Sequence, residues 1–117
     1  MQVAYGDLDP VRLIEWFELQ RLLGVQLIGV YVGGPSVSQR AIDVFRWYAD
    51  DGLVELRYSD YIGPAGGDEV DRSWINITNQ YLLHGSPVIN DCIYRHMHSF
   101  RYIGVYDFDE VSVSRCD

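Results

Sequence analysis

Three carboxylates directly follow a short apolar run near the carboxyl end of the chain. Residues 102–106 (Tyr-Ile-Gly-Val-Tyr) have the length and apolar character of a buried β-strand, and Asp107, Asp109 and Glu110 come after them. In an open α/β sheet, ligands bind beyond the carboxyl ends of the strands, and two aspartates separated by one residue can point toward one hard cation. On its own, the pattern fits either a metal-dependent site or the commoner alternative, a polar strand end that enters an ordinary loop, and the neighbouring sequence has to decide between them.

Composition excludes several classes of function. The net charge is −8 and all nine basic residues are arginine, so the chain lacks the basic surface that binding to nucleic acid or to an anionic membrane requires. The longest apolar runs are the length of strands, and the amino terminus lacks a charged segment followed by an apolar one. The sequence therefore predicts neither a transmembrane helix nor a signal peptide.

Helix and strand signals alternate along the first half of the chain. Asp9 followed by Pro10 is typical of a helix start and Gly24 of a helix end, which predicts a helix over residues 10–23. The other elements predicted in this half are a strand over residues 25–32, a helix capped by Ser38 and ended by Gly52, and a strand over residues 53–58. This alternation predicts an α/β fold with a mostly parallel sheet.

The second half of the chain is less regular. Residues 59–72 are rich in Gly, Asp and Pro, which predicts a loop. Residues 74–83 combine β-branched residues with helical spacing, so a helix and an extended segment both fit. Pro87 is expected to open a helix that runs to about residue 97, and residues 102–106 are expected to form the last strand.

The segment that leads into the acidic residues resembles glycosyltransferase family 92. Members carry an Asn-Asp-Cys-Leu-Tyr-Arg helix, which residues 90–95 match as Asn-Asp-Cys-Ile-Tyr-Arg, and a hydrophobic strand that ends in Asp-x-Asp-Glu. Three further blocks follow the family's order: Leu-Ile-Glu-Trp-Phe-Glu at 13–18, Leu-Gly-Val at 23–25 and Tyr-Ala-Asp-Asp-Gly-Leu-Val-Glu at 48–55. The resemblance covers nearly the whole chain and implies a GT-A, Rossmann-like, nucleotide-sugar-binding fold.

That fold normally needs roughly twice the length of this chain. We therefore expect residues 1–117 to be a partial family 92 domain, the amino-terminal, nucleotide-binding half, with the first strand and the acceptor half missing. The general base is expected beyond Asp117, so the chain alone should be inactive. It should also be unstable, because the predicted strand at residues 102–106 is apolar on both faces and nothing later in the chain covers it.

The resemblance implies transfer of a hexose, galactose, from UDP-galactose to a glycan hydroxyl, with Mn²⁺ or Mg²⁺ neutralising the departing diphosphate. Asp109 is the expected direct metal ligand, and Asp107 is expected to bind the ribose or to reach the metal through water. Asp91 and Arg95 are expected to face the nucleotide, with an ordinary ion pair on the helix surface as the alternative. Tyr31 is expected near the uracil or ribose, with core packing as the alternative.

The expected partners are a nucleotide sugar and a glycan acceptor, with no nucleic acid. The resemblance implies the luminal side of the Golgi membrane, with a single-pass anchor upstream of this sequence, and the sequon at Asn76 suits a glycosylated luminal protein. A non-catalytic luminal module is one alternative, because Ser86 and Ser114 depart from the family's glutamine and proline. A phosphatase of the haloacid dehalogenase type is another, although its aspartate motif would open the domain rather than close it.

Overall fold

The computed structural model describes residues 2–4, 7–33, 37–59 and 77–112. Its elements are β1 (Gln2–Ala4), α1 (Pro10–Leu22), β2 (Ile28–Gly33), α2 (Gln39–Asp50), β3 (Val54–Ser59) and α3 (Ile77–His96). The strands form one sheet in the order β1-β2-β3, and both pairings are parallel. The predicted α/β class with a parallel sheet is thus confirmed for the described residues.

Local capping signals set the first two helices. The Asp9 side chain accepts a hydrogen bond from the backbone N–H of Val11 at 3.0 Å, and Pro10 occupies the first helical position. The Ser38 hydroxyl caps α2 in the same way, at 3.4 Å from the amide of the third helical residue. Gly24 lies just past α1 with a φ of +86°, a conformation that suits glycine, and it turns the chain toward β2. Both predicted helix starts are confirmed.

Side chains alternate between the two faces of the sheet. In β2, Ile28, Val30 and Val32 belong to the core formed with α1 and α2. Tyr31 faces the other way and packs with Val88 and Cys92 of α3. The sheet therefore has α1 and α2 on one face and α3 on the other, so β2 is buried on both faces.

Two element boundaries differ from the predictions by more than one or two residues. Residues 25–27 connect α1 to β2 instead of opening the strand, because the turn at Gly24 still occupies this segment and the N–H of Val25 bonds to the carbonyl of Gln20 at 3.1 Å. Pro87 lies inside α3 rather than at its start. Proline in a helix interior loses one backbone hydrogen bond, so continuation through it runs against local propensity. Residues 77–83, for which a helix and an extended segment both fitted the sequence, are helical.

The predicted strand at residues 102–106 is wrong. The segment is irregular and only partly enclosed: Tyr102 is 87 % exposed and Val105 is 47 % exposed, whereas Ile103 and Tyr106 pack against the two cores. The ring of Tyr106 folds back over Gly104, where any side chain would collide with it. The chain therefore lacks the uncovered two-faced strand on which the expected instability depended, while the instability itself stays a prediction.

Within the described residues, no helix is both long and apolar enough to cross a membrane.

Candidate functional site

The predicted metal ligands lie in a turn that spans residues 107–110, here called the acidic turn. The N–H of Glu110 donates to the carbonyl of Asp107 at 2.9 Å, and the N–H of Asp107 donates to the Glu110 carboxylate at 3.0 Å. The side chains of Asp107 and Asp109 are exposed. The two carboxylates are therefore presented to solvent by a hydrogen-bonded turn and not by a strand end, which corrects the expected geometry.

The acidic turn docks on the helical face formed by α1 and α2. The Glu110 carbonyl accepts hydrogen bonds from the indole N–H of Trp16 at 2.9 Å and from the Gln20 amide at 3.3 Å. The Phe108 ring lies edge-on to Trp16 at 5.1 Å and stacks on Phe45 at 5.9 Å, with an interplanar angle of 15°. Phe108, which lies between the two aspartates, is thus an apolar anchor that holds the turn on the core.

The other three predicted nucleotide-binding residues meet on the opposite face of the sheet. The Tyr31 hydroxyl donates to one Asp91 carboxylate oxygen at 2.7 Å, and Arg95 Nε lies 2.9 Å from both oxygens. Hydrogen bonds from Arg95 and then Tyr31 lower the pKa of Asp91. Burial, reinforced by the bond to Asp91, raises the pKa of Tyr31. The cluster joins α3 to β2, which favours the ion-pair alternative for Asp91 and Arg95.

A second polar group on this face was missed by the sequence predictions. Glu55 accepts from Arg57 on the same strand and lies 2.6 Å from His96 Nε2 on α3. Burial acts to raise the pKa of Glu55, but the hydrogen bonds from Arg57 and His96 outweigh it, so the pKa is lowered. Arg57 also pairs with Tyr31 in the sheet register, which places both polar groups side by side. The alternation of Glu55 and Arg57 with apolar residues was the signal that could have revealed a polar face.

The acidic turn and the Tyr31 cluster do not meet. The turn packs against α1 and α2 through Phe108, whereas Tyr31 and Asp91 lie between the sheet and α3. The packing therefore places Asp109 and Arg95 against different faces of the sheet. Among the described residues, no three His, Cys, Asp or Glu side chains form a group that could hold a metal by themselves. The sequon residue Asn76 lies outside the described residues, as does Ser114.

Comparison with known proteins identifies the family. The family model described as glycosyltransferase family 92 matches residues 1–116. Searches of curated proteins and of solved structures found no match. The family match supports a glycosyltransferase, and it spans all the blocks on which the resemblance rested. The chain belongs to glycosyltransferase family 92.

Proposed function

We propose that the chain binds the sugar donor of a metal-dependent hexosyltransferase, which moves galactose from UDP-galactose to a glycan hydroxyl. One observation carries the proposal: a chain of family 92 presents the exposed pair Asp107 and Asp109 on a turn fixed to its core. UDP, galactose and the glycan acceptor come from the family resemblance. The proposed place of action is the luminal side of the Golgi membrane.

The chemistry of the acidic turn fits Mn²⁺ or Mg²⁺. These cations are commonly held by one or two carboxylates together with phosphate oxygens, so two aspartates suffice when the donor supplies the remaining ligands. We assign Asp109 as the direct ligand, and Asp107 to the ribose or to the metal through water. When bound, the cation would supply Lewis-acid neutralisation of the departing diphosphate.

The residues around the two aspartates hold the turn in place. The Glu110 carboxylate accepts the N–H of Asp107 and closes the turn, and its carbonyl binds the side chains of Trp16 and Gln20. Phe108 packs half-buried against the aromatic core, and its neighbours Asp107 and Asp109 face solvent. A turn fixed at both ends loses little conformational freedom on binding a ligand, which favours affinity.

The proposed fold is GT-A. A parallel sheet with helices on both faces is the arrangement in which nucleotides bind to open α/β sheets, and it supports this assignment. The contacts of Tyr31, Asp91 and Arg95 support a role in holding α3 on the sheet. We therefore assign the metal-bound diphosphate to the acidic turn and not to Arg95.

The test is calorimetric titration of the chain with UDP in the presence of Mn²⁺. We expect Mn²⁺-dependent binding, weakened at least about tenfold in Asp109→Asn, because an amide replaces a charged ligand. Asp107→Asn should weaken binding less. Asp50→Asn, which neutralises an exposed carboxylate on α2, is the matched control and should bind as the wild type does.

Four results would contradict the proposal in different ways. Unchanged UDP affinity in Asp109→Asn would remove the metal ligand from the acidic turn. A loss of binding in Arg95→Gln equal to that in Asp109→Asn would place the diphosphate on the α3 face. Absence of UDP binding by a folded wild-type chain would favour the non-catalytic module, and transfer of phosphate to Asp107 would favour the phosphatase.

A further inference from the structure

A groove of about 470 Å³ lies between α1 and α2. Its lining residues are Ile14, Glu18, Asp43, Val44, Trp47 and Tyr48. This surface, here called the α1–α2 groove, shares no residue with the acidic turn or with the Tyr31 cluster. Any role of the groove is therefore separate from those assigned above.

The two helices that form the groove run side by side in the same direction. The Tyr48 hydroxyl donates to the Glu18 carboxylate at 2.7 Å, and Arg21 forms an ion pair with Asp51. The second contact lies three residues after the first on both helices, which is the order expected when neighbouring helices are parallel. The groove is therefore a furrow of the kind into which the side chains of a third helix pack.

Apolar side chains line the groove and extend it along α1. Trp47 is 60 % exposed, and Ile14 is exposed beside it in the groove. Val11 and Leu22 lie on the same face of α1 as Ile14, because their spacings from it are close to one and two helical turns. Leu22 is 83 % exposed. Exposed apolar side chains grouped beside charged ones are typical of interaction sites.

The charge on the groove is negative. Among the described residues that line it are two carboxylates, Glu18 and Asp43, and no basic side chain. Tyr48 holds the first carboxylate, and the Gln39 amide donates to the second at 2.8 Å. Trp47 lies one helical turn after Asp43, so its exposed ring is adjacent to that carboxylate. A lysine or arginine of a partner can lie on this ring and pair with the carboxylate.

This charge distinguishes between the possible occupants. A second copy of the chain would present the same surface in a two-fold dimer, so Glu18 and Asp43 of both copies would meet, and like charges across an interface oppose association. Arg21 does not relieve the repulsion, because Glu18 and Asp51 already share it. Residues 60–76, which lie outside the described residues, include four acidic residues and one arginine and thus carry the wrong charge. A separate, basic partner remains.

We propose that the α1–α2 groove binds a basic amphipathic helix of a partner protein. The apolar side chains of that helix pack between Ile14 and Trp47, in the manner of other helices that bind grooves. Its lysine or arginine side chains pair with Glu18 and Asp43. The face of α1 from residue 11 to residue 22 is about 16 Å long, so the bound helix has about three turns. The proposal does not depend on the donor chemistry assigned above.

The test is fluorescence anisotropy of a fluorescein-labelled synthetic helix of about 18 residues, with leucine on one face and lysine on the other. The chain should bind this peptide and should not bind its counterpart in which glutamate replaces lysine. Trp47→Ala should weaken binding at least about tenfold through loss of the exposed ring. Tyr94→Ala is the matched control, since it removes a ring that is 73 % exposed on α3, outside the groove, and should leave affinity unchanged.

A second pair of variants separates the groove from the overall negative charge. Glu18→Gln combined with Asp43→Asn should weaken binding of the lysine peptide and reduce its dependence on salt. Asp7→Asn combined with Asp109→Asn removes two exposed carboxylates elsewhere and should do so far less. Glutamine keeps an oxygen that accepts from Tyr48, and Trp47 is mostly exposed, so unchanged melting temperatures will show that the variants are folded.

Four results would overturn the proposal. They are equal affinity for the peptide in Trp47→Ala and Tyr94→Ala, equal weakening in the two double variants, and equally tight binding of the glutamate peptide. The fourth is self-association of the chain that Trp47→Ala abolishes, which would assign the groove to a second copy.

Discussion

Truncation of Phe108 should release the acidic turn from the core. The ring of Phe108 stacks on Phe45 at 5.9 Å and meets Trp16 and Phe17 edge-on at 5.1 and 6.2 Å. Replacing a fully buried Phe by Ala costs about 3–5 kcal/mol. Phe108 is only half-buried, so we expect Phe108→Ala to lower the free energy of unfolding by about 2–3 kcal/mol. That loss is a large part of the roughly 5–15 kcal/mol that stabilises a typical domain.

Urea unfolding followed by tryptophan fluorescence measures this change. Tyr102→Ala is the control, because it removes an exposed ring from the same segment and should shift stability by no more than about 0.5 kcal/mol. The indole N–H resonance of Trp16 should also move in Phe108→Ala, since its hydrogen bond to the Glu110 carbonyl depends on the docked turn. Equal midpoints for Phe108→Ala and Tyr102→Ala, with an unmoved Trp16 resonance, would refute the docking of the turn.

Three further predictions concern side chains elsewhere. Hydrogen bonding, chiefly by Arg95, lowers the pKa of Asp91 from 3.8. The ionised Asp91 therefore stabilises the folded chain above about pH 4, and this contribution is lost as pH falls through the lowered pKa. The melting temperature should fall less in acid for Asp91→Asn than for wild type. Burial, then the bond to Glu18, raises the pKa of Tyr48 to about 12. The protonated Tyr48 hydroxyl therefore stabilises the folded chain below about pH 10, and this contribution is lost as pH rises through 12. Tyr48→Phe should lose less melting temperature than wild type as pH rises over this range. Asn76 should carry a glycan after secretion, and an endoglycosidase that leaves wild type and Asn76→Gln at equal mobility would show an unused site.

The elements that sequence predicted well are those set by local chemistry. Asp9, Pro10 and Ser38 cap their helices through contacts within a few residues, and the side-chain period places alternate residues of β2 in two cores. The residues that define each of these features lie close together in the sequence, so a short segment is enough to predict it. The same holds for the ion pair of Asp91 and Arg95, which helical spacing alone brings together.

The features that sequence missed depend on distant contacts. An apolar run such as residues 102–106 fits a strand, but no local signal shows that Tyr106 covers Gly104 or that Phe108 inserts beside Phe45. The separation of the Tyr31 cluster from the acidic turn likewise follows from which helix packs on which face of the sheet. The continuation of α3 through Pro87 runs against local propensity, so sequence reasoning placed a boundary there.

Paramagnetic relaxation by Mn²⁺ in the presence of UDP tests the metal site most directly. A bound Mn²⁺ broadens nearby amide resonances, so its position can be read from the residues whose signals are lost. We predict loss of the signals of residues 107–110 and of the Trp16 indole N–H, which lies 2.9 Å from the Glu110 carbonyl, and recovery of both in Asp109→Asn. Broadening centred on Tyr31, Asp91 and Arg95, with an unaffected acidic turn, would contradict the assignment of the metal-bound donor to Asp109.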